Sequence, residues 1–349
     1  MHIRPSTFRT IATQYLNSSF PEPRRSTLVT DRVFKAHFKL GPTATAQVWY
    51  KLGEVHRDAN SVYLTTDDPP LQISWNNNVL PKHLLWALHY MKTYLPEDQA
   101  AALFATSNKT FRKFFWALVF FLNGLCDDLV STSNDSTLLF VAQNKTNFFI
   151  LNFEFSQVRW ENRHNQDNGS ESKVSVDGVD FMIREPQYTV GTDDYRMWFS
   201  HKFNAAGLRY ELGICIQTGD IVWIAGPFPP GDWPDVTIFQ IGMMERLDEG
   251  ETVEADAGYA GDIPVRTPDD FGGSIEWKRM KGRARARHET VNGAIKHYAI
   301  MTQKYRHSLH KHNSLMKAVC ALVQSEIEEG NITFQIDYEI VRPYQNAMV

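Results

Sequence analysis

Cysteine is scarce: the 349-residue chain carries three, Cys126, Cys215 and Cys320, far apart and in no CxxC pair. That spacing signals neither a zinc ribbon nor a disulfide framework, and it fits a reducing compartment. Long apolar runs are also lacking. The most hydrophobic stretch, residues 114–122 (FFWALVFFL), is far shorter than the roughly 20 residues that cross a bilayer as a helix, so it reads as a core helix with no membrane partner. The opening MHIRPSTFRTIATQYL has neither the apolar stretch nor the small-residue cleavage site of a secretory signal, and export is not expected. No sign of charge dominates either, and a net charge of −4 argues against a protein that coats nucleic acid over its whole surface.

What is present is an ordinary globular composition, 43% hydrophobic and 22% charged, with 22 Phe and 9 Trp. The length allows two compact domains. The charges are unevenly placed. Residues 231–272 hold 11 acidic and 2 basic side chains, and residues 274–311 hold 10 basic and 2 acidic. An acidic patch beside a basic stripe suits cations next to a polyanion, and equally two oppositely charged solvated faces.

Along the chain, residues 1–80 show weak periodicity and read as an irregular N-terminal region with a few short strands. Residues 81–125 read as three helices in close succession. The break at Thr106-Ser107 is compatible with a helix-turn-helix whose last helix presents Lys109, Arg112 and Lys113 to a DNA groove, and equally with a plain bundle. Residues 126–172 read as an insert and a polar linker. From 173 to 312 the pattern is strand (173–183), hairpin around Thr218-Gly219-Asp220 (208–217 and 221–225), helix (235–247), strand (251–255) and a long helix from 284 to about 306. That order predicts a mixed α/β fold, a mixed sheet with helices packed on it. Residues 313–349 read as a C-terminal helix and tail. His307, His310 and His312 have no Cys or acidic partner at ligand spacing and read as a solvated helix.

Phosphodiester cleavage needs charge neutralisation at the phosphate and an activated oxygen nucleophile, and two divalent ions roughly 3.5–4 Å apart supply both. Mg²⁺ takes oxygen ligands, so a few carboxylates on separate elements suffice. Asp177 inside the first strand, Asp256 at the end of a later one and Glu289 on the long helix are such groups. Glu289 shares a helix face with Asn292 and Lys296, away from Val291, Ile295 and Tyr298. Asp180 competes with Asp177. Three positions apart on a strand they face opposite ways, and the pattern does not choose between them.

VDGVDF (176–181), ADAGY (255–259) and RHETVNGAIK (287–296) resemble, in order, the three active-site blocks of Harbinger-type DDE transposases. In that family the second block is Asp-x-Gly-Tyr and the third has Glu followed seven residues later by Lys. Here 32 residues separate Asp256 from Glu289. The intervening FSHKFNAAGLRYELGICIQTGDIVWIAGPFPPGDWPDVTIF resembles the family's hairpin and its Gly-x-x-x-Asp stretch, with Asp235 in the last position.

The resemblance implies an RNase H-like catalytic core over 173–312. It implies two Mg²⁺ or Mn²⁺ ions on Asp177, Asp256 and Glu289, and a transposase that cuts double-stranded DNA at transposon terminal repeats and joins the ends to target DNA. It selects Asp177 over Asp180, which stands where the family commonly has His. It implies a nuclear location, a homo-oligomer and a separate DNA-binding partner protein. Lys202, Arg283, Arg285, Arg287 and Lys296 become DNA-binding candidates beside Lys109, Arg112 and Lys113. The other readings kept open are a catalytically silent relative acting as a DNA-binding or adaptor protein, and another nuclease on the same fold.

Overall fold

A computed structural model describes residues 3–18, 28–56, 62–64, 71–128, 152–154, 160–161, 163–164, 172–186, 194–260, 264–267 and 275–331. The insert expected at 126–172 lies largely outside these residues, as does the tail beyond 331. The described residues divide into two compact units. One lies within Met1–Asp128, Ile295–Gln303 and His307–Glu329, the other within Leu129–Ala294 and Lys304–Arg306.

The first unit is helical. Its elements are α1 (Pro5–Ser18), α2 (Asp31–Phe38), α3 (Pro42–Val55), the short α4 (Trp75–Asn78), α5 (Pro81–Thr93), α6 (Glu97–Leu103) and α7 (Asn108–Asp128), with a two-stranded ribbon β1 (Val62–Leu64) and β2 (Leu71–Ile73). The region expected to be irregular is therefore helical over much of 5–55. Phe8, Ala12 and Leu16 in α1 are spaced by four and buried, and Thr30 caps α2 by accepting from Val33 N–H. The apolar run at 114–122 is a core helix within α7, with Phe115, Leu118, Val119 and Leu122 all buried. No helix among the described residues is long and apolar enough to cross a membrane.

The second unit is a mixed sheet with flanking helices. Its strands are β3 (Asn152–Glu154), β4 (Ser172–Met182), β5 (Phe199–Ser200), β6 (Ala205–Cys215), β7 (Ile221–Phe228), β8 (Thr252–Glu254) and β9 (Val265–Arg266). They lie in the order β3-β7-β6-β4-β8-β9, with β5 paired to β6. Pairing from β3 through β4 is antiparallel, while β4–β8 and β8–β9 are parallel. The β6–β7 hairpin closes where expected, and Gly219 takes φ of 82°, a value few residues besides glycine accept.

Two helices cover the sheet. α8 (Asp235–Ile241) packs Ile238 and Phe239 against Val174, Val176 and Trp223, burial that stabilises by roughly 1.5–3 kcal/mol per large side chain. α9 (Ile275–Lys296) lies over the other face. It starts nine residues before its expected beginning at 284 and ends at Lys296. α10 (Ala299–Thr302) and α11 (His312–Glu328) complete the helical unit. The histidines expected on a solvated helix are only partly so: His312 is fully buried, His307 sits 3.2 Å from the Tyr90 hydroxyl, and His310 is exposed.

Candidate active site

Strand register brings the first two acidic candidates together. β4 and β8 run parallel with Ser175 beside Glu254. Two residues on, with side chains alternating between faces, Asp256 therefore stands beside Asp177 on the same face. The turn after β8 holds Asp256 in place, because Gly258 N–H donates to its Oδ1 at 2.8 Å. A Cβ at Gly258 would lie 3.0 Å from that same oxygen.

α9 closes over this face with two residues four apart, which share one side of a helix. His288 Nδ1 lies 2.9 Å from Ser175 Oγ, and Asn292 Nδ2 donates to Asp177 Oδ2 at 2.9 Å. Glu289, next to His288, leaves its side chain 69% exposed, with Arg285 Nε 3.7 Å away. A cavity of about 340 Å³ is lined by Asp177, Glu254, Asp256, His288 and Glu289, with Lys278, Lys281 and Arg285 also on its wall. Asp177, Asp256 and Glu289 thus line one cavity together with a fourth carboxylate, Glu254, which is paired with Lys281 at 3.1 Å. Their ligand atoms are spread too widely to hold a single ion together. Among the described residues the one trio of such atoms within 4.8 Å of each other is His164, Asp248 and Glu251, which is already paired to Arg163 through Glu251 at 2.8 Å and Asp248 at 3.4 Å.

The interior behind the cavity is crowded with acid. Burial pushes the Asp177 carboxyl up to about 6, with Asp256 and Asp235 adding to the rise against the pull of Lys202 and a Gly178 backbone hydrogen bond. Asp235, at the start of α8, is likewise raised by burial, against the opposing charges of Arg209 and Lys202. Glu211 on β6 is fully buried and pushed up to about 8 by that burial, although Trp223 Nε1 donates to it at 3.0 Å and Tyr259 OH at 3.3 Å. Two buried polar atoms of α9, His288 Nε2 and Asn292 Oδ1, have no hydrogen-bond partner among the described residues.

Glu211 has a measurable signature. Its pKa is about 8 folded against 4.5 ordinarily, so between those values the folded chain holds a proton that the unfolded chain has lost. Its contribution to stability therefore falls as pH rises from 4.5 to 8 and is flat beyond. Glu211→Gln keeps the shape and an acceptor for Trp223. It should match the parent in urea denaturation near pH 4.5 and exceed it near pH 8.5.

The other candidates separate clearly. Asp180, three residues from Asp177, points to the opposite face and is bound bidentately by Arg209, Nε to Oδ1 at 2.8 Å and Nη2 to Oδ2 at 3.0 Å, while Ser200 Oγ donates to Oδ2 at 2.5 Å. Its oxygens are taken, so of the two aspartates it is Asp177 that faces the cavity. Arg287 does not fit the DNA-binding role expected of it. It is 1% exposed and donates to the Gln217 carbonyl at 3.1 Å and the Cys215 carbonyl at 3.4 Å, tying α9 to the end of β6. Arg283, Arg285 and Lys296 are exposed on α9. Lys202 Nζ donates to the Gly178 carbonyl.

In the helical unit, Arg112 is hydrogen-bonded to Glu97 at 2.9 Å across the α6–α7 turn, Lys113 lies 5.7 Å from the Phe114 ring centre, and Lys109 is exposed. Sequence reasoning gave no part to Glu211 or His288. Their signals were a lone acid in the apolar LRYELGICIQ and a histidine in the Glu289 block, each common in structural roles. No family model, curated protein or solved structure matches the chain.

Proposed function

We propose that the chain is a metal-dependent DNA-cutting and DNA-joining enzyme of the DDE transposase kind, with an RNase H-like core and Asp177, Asp256 and Glu289 as its acidic set. The observation that carries the reading is that these three residues, separated by 78 and 32 positions, line one cavity between the sheet and α9. The sheet supports it too. Asp177 lies on the central strand β4 and Asp256 just past the end of its parallel neighbour β8, and the ends of parallel strands at a change of direction are where open α/β sheets build sites.

The donors suit hard divalent cations. All three are carboxylates, and Asn292 adds a buried amide oxygen beside Asp177. Burial raises the Asp177 carboxyl, with the charges of Asp256 and Asp235 adding to the rise, and a cation beside it would offset that repulsion. Asp177 and Asp256 would hold a Mg²⁺ or Mn²⁺ pair with Glu289 completing one shell, and such a pair supplies charge neutralisation at phosphorus and an activated oxygen nucleophile.

The chain's own residues do the rest. Asn292 fixes the Asp177 carboxylate in one orientation. Glu289 swings from solvent at little cost, since an exposed i,i+4 pair such as Arg285–Glu289 is worth only about 0.3–0.5 kcal/mol. Lys278, Arg283 and Arg285 on the exposed side of α9 bind the DNA backbone, which positions the duplex without reading its sequence. Double-stranded DNA as substrate, action as a homo-oligomer, a separate DNA-binding partner and a nuclear location belong to the same proposal.

The test is nicking of DNA that carries the inverted repeats flanking the coding sequence, by the purified full-length chain in Mg²⁺. Site-specific nicks dependent on the divalent ion are expected. DNA binding with no cleavage in Mg²⁺ or Mn²⁺ would replace the reading with that of a catalytically silent DNA-binding protein.

A further inference from the structure

Asp235 is the acidic residue whose surroundings the three-carboxylate scheme leaves unexplained. It is carried at the start of α8, on the face of the sheet opposite α9, yet its carboxylate lies against the first two acidic blocks. A Cβ at Gly178, the residue after Asp177, would overlap Asp235 Oδ1, and a Cβ at Gly258, two residues after Asp256, would lie 3.9 Å from Asp235 Oδ2. The carboxylate is therefore seated between two glycines, one in each of the first two acidic blocks. On its other side Arg209 Nη1 is 3.2 Å from Oδ1, and the same guanidinium uses Nε and Nη2 to grip Asp180 on β4. Oδ1 has no hydrogen bond of good geometry from any described residue, although it is buried.

We propose that Asp235 is a positioning residue for the acidic site. Its carboxylate, anchored by Arg209 and wedged between Gly178 and Gly258, holds the Asp177 strand and the Asp256 turn at the separation a bound cation pair requires, and adds negative charge behind them. The inference rests on the proposed metal-dependent function. The arrangement accounts for Gly178, where any side chain would occupy the space of the carboxylate, while at Gly258 a side chain would crowd Asp256 and only touch Asp235.

The test is Mn²⁺ binding by the full chain without DNA, measured by isothermal titration for the parent, Asp235→Asn, Asp235→Glu, Asp177→Asn and Asp256→Asn. Supporting groups behind metal ligands typically change affinity about 10–100-fold. Asp235→Asn keeps the shape and loses the charge. It should weaken Mn²⁺ at least about tenfold, with Asp235→Glu recovering part of the loss and thermal unfolding showing a folded chain. A purely structural role predicts a lower unfolding midpoint with unchanged Mn²⁺ affinity in the folded protein.

If Asp177→Asn and Asp256→Asn abolish binding while Asp235→Asn stays within about twofold, Asp235 has no positioning role and the metal site stands without it. Should the parent bind no Mn²⁺, both the metal-dependent function and this inference fall. If Asp235→Asn does not fold, Asp235→Glu decides: an extra methylene in the Gly178 contact should lower the affinity, and parental affinity would overturn the proposal.

Discussion

Asp256→Asn is expected to slow Mg²⁺-dependent DNA cleavage by at least about 10³-fold, roughly 4 kcal/mol of transition-state stabilisation, with no loss of folding stability. The amide keeps an oxygen to accept the Gly258 N–H that now holds Oδ1 at 2.8 Å, so the turn after β8 retains its shape. What disappears is the negative charge needed to hold a hard cation. The charge of Asp256 also raises the neighbouring Asp177 and Asp235 carboxyls, so removing it relieves repulsion, and the unfolding midpoint should hold or rise. Single-turnover nicking, with a thermal melt on the same preparation, checks both halves. Cleavage within tenfold of the parent would remove Asp256 from the acidic set. Asp177→Asn should behave in the same way, and Glu289→Gln should lose cleavage while changing stability least, because its side chain is 69% exposed.

Arg209→Ala should do the reverse, costing about 3–5 kcal/mol of folding stability. The side chain of Asp180 is fully buried and that of Arg209 is 10% exposed, with 2.8 Å between Oδ1 and Nε. Removing the guanidinium strands the Asp180 charge in the sheet and takes away the counter-ion of Asp235 as well. Against a total stability of about 5–15 kcal/mol for a typical domain, that is a large share. Urea denaturation measures it. A loss below about 1 kcal/mol would show that the pair is not the buried anchor described. Asp180→Ala should cost a similar amount. The two aspartates of VDGVDF are thereby distinguished by experiment, Asp177 through chemistry and Asp180 through stability.

Much of the sheet unit was legible because its signals are local. Alternation marked β4, and Thr218-Gly219-Asp220 marked the hairpin. The helices at 5–55 escaped notice because their buried stripes rely on small or polar residues, Ala12 in α1 and Ala44, Thr45 and Ala46 in α3, which carry little hydrophobic signal until packed. α9 was recognised from 284 onward because its apolar stripe begins there. Ahead of it, KRMKGR offers none, and those residues are helical all the same.

The basic stripe misled at one position for a geometric reason. Counting charges along the chain treats Arg287 like its neighbours. Ala284, Arg287, His288 and Val291, at i, i+3, i+4 and i+7, form the buried side of α9, so Arg287 turns inward while Arg283 and Arg285 turn out. The choice between Asp177 and Asp180 was likewise beyond pattern reasoning. Alternation says that they face opposite ways, and only the partner on β6 reveals which face holds an arginine.

The glycines of VDGVDF and ADAGY were legible as letters and not as causes. Gly258 makes room for Asp256 two residues before it, a local Asx-turn contact, whereas Gly178 makes room for Asp235 from a distant part of the chain, an approach no local rule anticipates.

The most direct measurement is anomalous diffraction from crystals soaked in Mn²⁺. Manganese peaks are expected in the cavity between sheet and α9, in contact with Asp177 and Asp256, and about 3.5–4 Å apart where two ions bind. Manganese only at His164, Asp248 and Glu251, or nowhere in the chain, would contradict the proposed acidic site.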